Sequence, residues 1–144
     1  MLKFPHEYQL GTKECGPTCI KIIAEHYGKS ISLQYLVGLC NITEAGITLF
    51  EMVHVCGLIG LQTVCFKLDF ASIKKMPLHA IVHWDNKHFI VIYKIKNNRI
   101  YVSDPGKGLL KYDQKTFMKG WLGGKTKWAV LAVEPTSNFK TLSH

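Results

Sequence analysis

The sequence predicts an α+β domain, with helices first and an antiparallel sheet after. Three observations carry this. Apolar residues in the first sixty positions recur at i, i+3, i+4, as in Ile20, Ile23 and Ala24, the spacing of a helix with one buried face. Beyond that point, β-branched and aromatic residues gather in short runs. Asn-rich and Asp-rich pairs separate the runs, notably Asp85-Asn86 and Asn97-Asn98, which suit tight hairpin turns.

In chain order, residues 1–14 read as loop or extended. A first helix is expected over 17–27. Pro17 suits its opening turn, where a missing N–H costs nothing, and Gly28 closes it. Ser30 or Ser32 caps a second helix that runs to Leu39, with Leu33, Leu36, Val37 and Cys40 on one face. Residues 41–46 form a loop. A third helix spans 48–56, with Leu49, Met52, Val53 and Cys56 inward and Gly57 ending it. Strands are expected at 61–68, 78–84, 87–94, 99–103, 109–112 and 128–133. A helical turn at 69–75 stops at Pro77, and Asp113 caps a short helix over 114–119. Residues 120–125 read as loop.

The chain has 144 residues, 47% of them hydrophobic, enough for one packed domain, taken as 1–135. Residues 136–144 are polar and read as a frayed tail or the start of a linker. The formal net charge is +8, which favours an acidic peptide or a membrane surface as partner. The lysines are spread along the chain, so nucleic acid ranks below both. Five cysteines cannot all pair within one chain, and none has zinc-knuckle spacing. With no signal-peptide core at the N-terminus and no apolar run of membrane-spanning length, the chain reads as a soluble domain in a reducing compartment.

The stretch from Gln9 to Cys19 concentrates the chemistry. Cys15 stands at a turn from loop into helix, and the positive end of a helix favours a thiolate. A nucleophilic cysteine needs a histidine to take its proton and a third group to orient that histidine. His88 opens the apolar run 89–93 just after the Asp85-Asn86 turn, so its ring is held at a strand mouth. Asp104 closes the next strand. In a hairpin joined through Asn97-Asn98, the end of the second strand returns to the start of the first, which brings Asp104 to His88. Gln9, six residues before Cys15, offers a side-chain amide, and the Cys15 backbone N–H a second donor, to a developing oxyanion. His26 and His54 read as helix-face residues and Cys19 as structural. His79 and His83 lie too far apart on one strand to share a metal. Gly123-Gly124-Lys125-Thr126 imitates the end of a phosphate-binding loop, but position 119 is Lys119, not glycine, and a strand follows instead of a helix.

These residues stand in three ordered motifs. Gln9 with Glu14-Cys15-Gly16-Pro17-Thr18-Cys19, then His83 through Ile92, then Ile100 through Gly108 resemble the signatures of the bacteriocin-processing peptidase domain of peptidase-containing ABC transporters. Residues 117–121 and the strand ending Glu134-Pro135 match the closing segment of that domain. The one departure is Glu14, where aspartate is common. The resemblance covers residues 4–135.

It implies a papain-like fold and a cysteine endopeptidase that removes the leader of a secreted peptide precursor after a Gly-Gly type site. It assigns Cys15 as nucleophile, His88 as general base and acid, Asp104 as orienter and Gln9 as oxyanion-hole donor. It implies no cofactor or metal for this domain, with ATP used only in transporter regions that this sequence lacks. The partners would be a helical double-glycine leader and the transmembrane and ATPase domains of the same transporter. The domain itself would be monomeric, on the cytoplasmic side of the bacterial inner membrane. The leader would dock in an apolar groove, with Leu49, Met52 and Val53 as candidates, at least two of which are expected in the core. The competing reading is a catalytically inactive module that only binds leaders, and a weaker one is acyl transfer of the transglutaminase type on the same fold.

Overall fold

The computed structural model describes residues 4–139 apart from Thr12, Glu44 and Ala45. It contains α1 (Cys15–His26), α2 (Leu33–Leu39), α3 (Leu49–Leu58), β1 (Leu61–Leu68), α4 (Phe70–Ile73), β2 (Ala80–Trp84), β3 (His88–Lys96), β4 (Arg99–Asp104), β5 (Gly108–Asp113), α5 (Gln114–Leu122) and β6 (Trp128–Pro135). The six strands form one antiparallel sheet in the order β1-β6-β2-β3-β4-β5.

Both faces of the sheet are covered, and strand alternation divides the core in two. Ile81, Phe89, Val91, Leu131 and Val133 pack against α1, α2 and α3. Ala80, Val82, Trp84, Ile90, Ile92, Ile100, Val102 and Val130 pack against α4 and α5. The expected helices-on-sheet arrangement is therefore present, with a second, smaller helical layer behind the sheet.

Capping follows the sequence closely. Ser32, Asp69 and Asp113 accept from backbone N–H groups three residues on, and Thr48 with Glu51 forms a full capping box. Asp85, Asn86, Asn97 and Asn98 all take left-handed backbone angles, as their hairpin turns require.

Some boundaries differ from expectation. The first helix starts two residues early, at Cys15, and runs buried from Cys15 to Ala24 apart from Lys21. Gly57 does not end α3; the chain turns at Gly60, whose φ of 89° only glycine adopts readily. The helix capped by Asp113 continues through the expected loop to Leu122 and stops at the left-handed Gly123. The stretch 136–139, expected to fray, is packed. Thr136 donates through its N–H and hydroxyl to the Gly60 carbonyl, and Phe139 is buried beneath the Lys29 ammonium. Residues 140–144 lie outside the described residues. Among the described residues, no helix is long and apolar enough to cross a membrane.

Candidate active site

Cys15 is the first residue of α1 and is buried, with 7% of its surface exposed. Gly16 lets this end of the helix sit close to α3. A Cβ there would meet the Ile47 side chain at 3.1 Å and Met52 Sδ at 3.4 Å. One turn along, the Cys19 thiol donates to the Phe89 carbonyl at 3.3 Å. Phe89 follows His88, so this bond ties the turn of α1 bearing Cys15 to the strand bearing His88. Burial, with the charges of Cys15 and Asp104, pushes the Cys19 thiol far up, which leaves it an inert anchor.

His88 Nε2 lies 2.5 Å from Asp104 Oδ1, and Cys15 is close enough to act on the charge of the ring. With Nε2 engaged by the carboxylate, Nδ1 is the nitrogen left for the sulfur. Asp104 is fully buried, and its Oδ1 also accepts from the Gly106 N–H at 2.8 Å. Burial works against the charged form of His88, but the hydrogen bonds and charges of Asp104 and Cys15 more than reverse this, raising it to about 9. Burial likewise pushes the Asp104 carboxyl up. The bonds from His88 and Gly106, with the charges of His88 and Lys107, outweigh it and hold the carboxyl below its ordinary value. At neutral pH the pair is imidazolium and carboxylate.

A detail of register that the sequence did not reveal makes the pair possible. From the Asn97-Asn98 turn, Lys96 faces Arg99, Ile95 faces Ile100 and Lys94 faces Tyr101, but Ile92 faces Val102. Tyr93 is thus an extra residue in β3. Carried onward, the shifted register sets Asp104 opposite Ile90, on the same side of the pleat as His88. Were Tyr93 paired in the ladder instead of bulged, Asp104 would oppose Val91, on the other side.

Gln9 belongs to an arm, residues 4–11, laid along the sheet end. Its backbone N–H donates to the Pro105 carbonyl at 3.0 Å, and its side-chain Nε2 to the Gly11 carbonyl at 2.6 Å. The arm is further held by His6 on the Ser103 hydroxyl at 2.7 Å, and by the Phe4 ring, stacked 4.3 Å from Tyr93 at the bulge. One arm therefore touches Asp104's neighbours on both sides and enters the loop that carries Cys15.

Beside Cys15 runs a groove of about 510 Å³, walled by residues 46–49 on one side and by His83, Asn86, Lys87 and Phe89 of the β2–β3 hairpin on the other. His83 stacks on Phe89 with ring centroids 4.6 Å apart. Burial, and then the charge of His88, lowers it, so it is neutral at pH 7. In the sequence His83 stands out only as too far from His79 to share a metal and as the first residue of the second motif. Its signal was its position, paired with Phe89 next to His88. Of the three docking candidates, Met52 is fully buried, Val53 is partly buried against the core, and Leu49 lines the groove. Gly123-Gly124-Lys125-Thr126 is the turn from α5 into β6. Among the described residues, no group of three or more His, Cys, Asp or Glu could hold a metal. A sulfur near an imidazole that is itself held by a buried carboxylate, beside an open groove, is an arrangement for acyl transfer.

Residues 3–137 match the Peptidase C39 family. Over 139 residues the chain is 31% identical to the colicin V secretion/processing ATP-binding protein CvaB of Escherichia coli, an alignment covering 96% of this chain and 19% of that protein. It is 30% identical over 139 residues to the lactococcin-G-processing and transport ATP-binding protein LagD of Lactococcus lactis subsp. lactis, covering 92% and 19%. The chain thus spans about a fifth of the length of these relatives. Among solved structures, it is similar to a double glycine motif protease from an AMS/PCAT transporter in complex with its leader peptide, with a TM-score of 0.84, 24% identity and 93% of each chain covered. It is also similar to the peptidase domain of Streptococcus ComA, with a TM-score of 0.82, 24% identity, and 93% of this chain and 100% of that one covered. The expected papain-like peptidase fold is the observed one, and the chain belongs to the Peptidase C39 family.

Proposed function

We propose that this chain is a cysteine endopeptidase that removes the leader from a secreted bacteriocin-like precursor by cutting after a Gly-Gly type site. The observation that carries the reading is the linked set Cys15, His88 and Asp104, opening on a groove in a C39 fold. A module that only bound leaders would have no use for a buried carboxylate aligned on an imidazole.

In this mechanism the Cys15 sulfur, as thiolate beside the His88 imidazolium, attacks the carbonyl of the second glycine. The developing oxyanion is met by the Cys15 backbone N–H at the start of α1 and by the N–H of Gln9 Nε2 not used by Gly11. His88 Nδ1–H passes its proton to the leaving amine as the C–N bond breaks. A water then gives a proton back to His88 and attacks the thioester, freeing the leader and restoring the thiolate–imidazolium pair. Asp104 holds the ring orientation and stabilises its charge throughout. No cofactor enters these steps.

By analogy with the relatives, whose names join processing with transport, the domain would work as one part of a transporter. Transmembrane and ATPase domains would complete it, with the peptidase on the cytoplasmic side and itself monomeric. The direct test is incubation with a synthetic leader peptide containing Gly-Gly, read by mass spectrometry. A single cut after the second glycine, abolished in folded Cys15→Ala, is expected. Uncut peptide that still binds would favour the inactive leader-binding module. Transfer of the acyl group to an added amine would favour the transglutaminase-type reaction.

A further inference from the structure

The arm that carries Gln9 is neither helix nor strand from Phe4 to Gln9, so its attachments decide where the Gln9 amide stands. Two of them fall on either side of Asp104. The His6 ring bonds the Ser103 hydroxyl through Nδ1 at 2.7 Å, and the Gln9 N–H meets the Pro105 carbonyl at 3.0 Å. Ser103 is fully buried in β4 and paired with Val91 on one side and Leu109 on the other, so it is a fixed point. Its hydroxyl donates to the Pro5 carbonyl at 3.3 Å, which leaves its oxygen to accept from His6 Nδ1–H. Burial lowers the His6 pKa, with the charge of Asp104 acting the other way, so the ring is neutral at pH 7 and carries one proton. The arm also lies close against the start of β5, where a Cβ on Gly108 would fall 2.9 Å from the Tyr8 hydroxyl. Other ties among the described residues are weaker or more distant. Glu7 stands 3.8 Å from Lys21, a partly exposed ion pair of little worth, and the Phe4 stack on Tyr93 is five residues from Gln9.

We propose, resting on the peptidase reading above, that His6 is a positioning residue for the oxyanion hole: its bond to Ser103 sets the Gln9 amide where the developing oxyanion needs it. His6 itself touches no reacting atom. The His6–Ser103 and Gln9–Pro105 bonds hold both ends of one short segment, fixing its place and its rotation. With the first bond gone, the segment pivots about Pro105 and the Gln9 side chain moves with it. The oxyanion exists only during reaction, so such a shift acts on kcat and leaves KM nearly unchanged. A displacement of about 1 Å at a catalytic group costs up to about 10²-fold, and the Pro105 bond retains part of the geometry. The effect does not pass through Asp104. β4 is held in register by β3 and β5, and the His88–Asp104 bond bypasses Ser103. Since His6 is neutral at pH 7 and above, its replacement changes no charge beside Asp104 there, and the alkaline limb of the rate profile stays in place.

The experiment measures kcat and KM on a Gly-Gly peptide, across pH, for the native chain, His6→Phe, His6→Asn, Ser103→Ala and Gln9→Ala. His6→Phe is also combined with each of the last two. His6→Phe keeps a ring against Tyr8 and removes the donor, whereas an Asn carboxamide puts an N–H close to the place of Nδ1. Thermal melts give the folded fraction, and rates are taken per folded molecule. The expected result for His6→Phe is a kcat about tenfold lower with KM nearly constant and the alkaline limb unmoved. His6→Asn should restore most of the rate. Adding His6→Phe to Gln9→Ala or to Ser103→Ala should lower kcat little further, because the same link is already broken. If His6→Phe does not fold, Ser103→Ala cuts the same bond from the sheet side and carries the same expectations. A native rate in the folded variant overturns the inference and leaves the peptidase reading standing. So does a loss that adds in full to that of Gln9→Ala, a loss equal in His6→Asn and His6→Phe, or a shifted alkaline limb, which would route His6 through Asp104. If the native chain cuts no peptide, the peptidase reading falls, and the inference with it.

Discussion

Asp104 reaches His88 because β3 is one residue longer than its partner at Tyr93. The extra residue moves the end of β4 onto the His88 side of the pleat, where Oδ1 of Asp104 meets Nε2 of His88 at 2.5 Å. The two charges stabilise each other, and this sets two pH dependences.

His88 is raised from 6.5 to about 9, so binding its proton favours the folded state. That contribution is whole below pH 6.5 and is lost as pH rises through 9. Asp104 is held below its ordinary 3.8, so its contribution is present above that pH and lost in acid. The pair therefore stabilises the fold most between pH 3.8 and 6.5. Screening at the groove mouth limits the His88 part to about 1–2 kcal/mol. In thermal melts across pH, Asp104→Asn is expected to flatten the alkaline decline. In kinetics, kcat/KM is expected to fall with an alkaline limb near pH 9, where the proton for the leaving amine is lost. Asp104→Asn should shift that limb downward and cost about 10²- to 10⁴-fold in kcat.

Gln9 is held by its neighbours before any substrate arrives, with Nε2 fixed on the Gly11 carbonyl and its backbone on Pro105. Gln9→Ala is expected to lower kcat about 10²-fold with little change in KM, since the amide acts on charge that appears only during reaction. Steady-state kinetics on a Gly-Gly peptide measure this.

Trp84 lies flat against α5 at Gly120, where a Cβ would fall 2.3 Å from the indole, and the Gly120 carbonyl accepts from Asp85 N–H at 2.8 Å. This contact anchors the turn that precedes His88. Gly120→Ala is expected to destabilise the chain by about 3 kcal/mol in urea unfolding. Combining it with Trp84→Leu should cost less than the sum of the two single changes. Gly106→Ala, whose Cβ would sit 3.5 Å from both Asp104 and His88, is expected to be far milder.

Cys19→Ala removes the thiol that joins α1 to the Phe89 carbonyl and leaves a small cavity. A loss of about 1–2 kcal/mol is expected by the same unfolding measurement. Activity should fall only modestly, because no reacting atom is touched.

Most of this architecture was legible in the residues. The Asn97-Asn98 turn implied that β4 comes back to the start of β3, and the capping residues placed α2, α3 and α5 within a few positions. Two things were not legible. The bulge at Tyr93 leaves no mark in an otherwise regular apolar run, because an extra residue in a strand changes pairing and not composition. The groove draws on residues 13, 46–49 and 83–89, whose proximity depends on how α1 and α3 dock against the β2–β3 hairpin, a long-range packing outcome. The 136–139 segment looked polar and free because Phe139 is its one apolar anchor, and the Thr136 bonds to Gly60 are a long-range contact.

Cys15 is expected to be an activated nucleophile because His88, aligned by Asp104, is close enough to act on it. Half-buried Cys40 and buried Cys56 make a built-in contrast. Burial and the Glu51 charge push Cys40 to about 11, and burial, with nearby Cys40, pushes Cys56 to about 12. Cys65 is exposed on β1, away from the site. The deciding measurement is the rate of carbamidomethylation at each cysteine by iodoacetamide at pH 6, read by peptide mapping in the native chain and in His88→Ala. Cys15 is expected to react at least tenfold faster than Cys65, and His88→Ala to abolish the difference, since the thiolate, not the thiol, is the reacting form. A Cys15 no faster than Cys65, or one whose rate ignores His88, would contradict it.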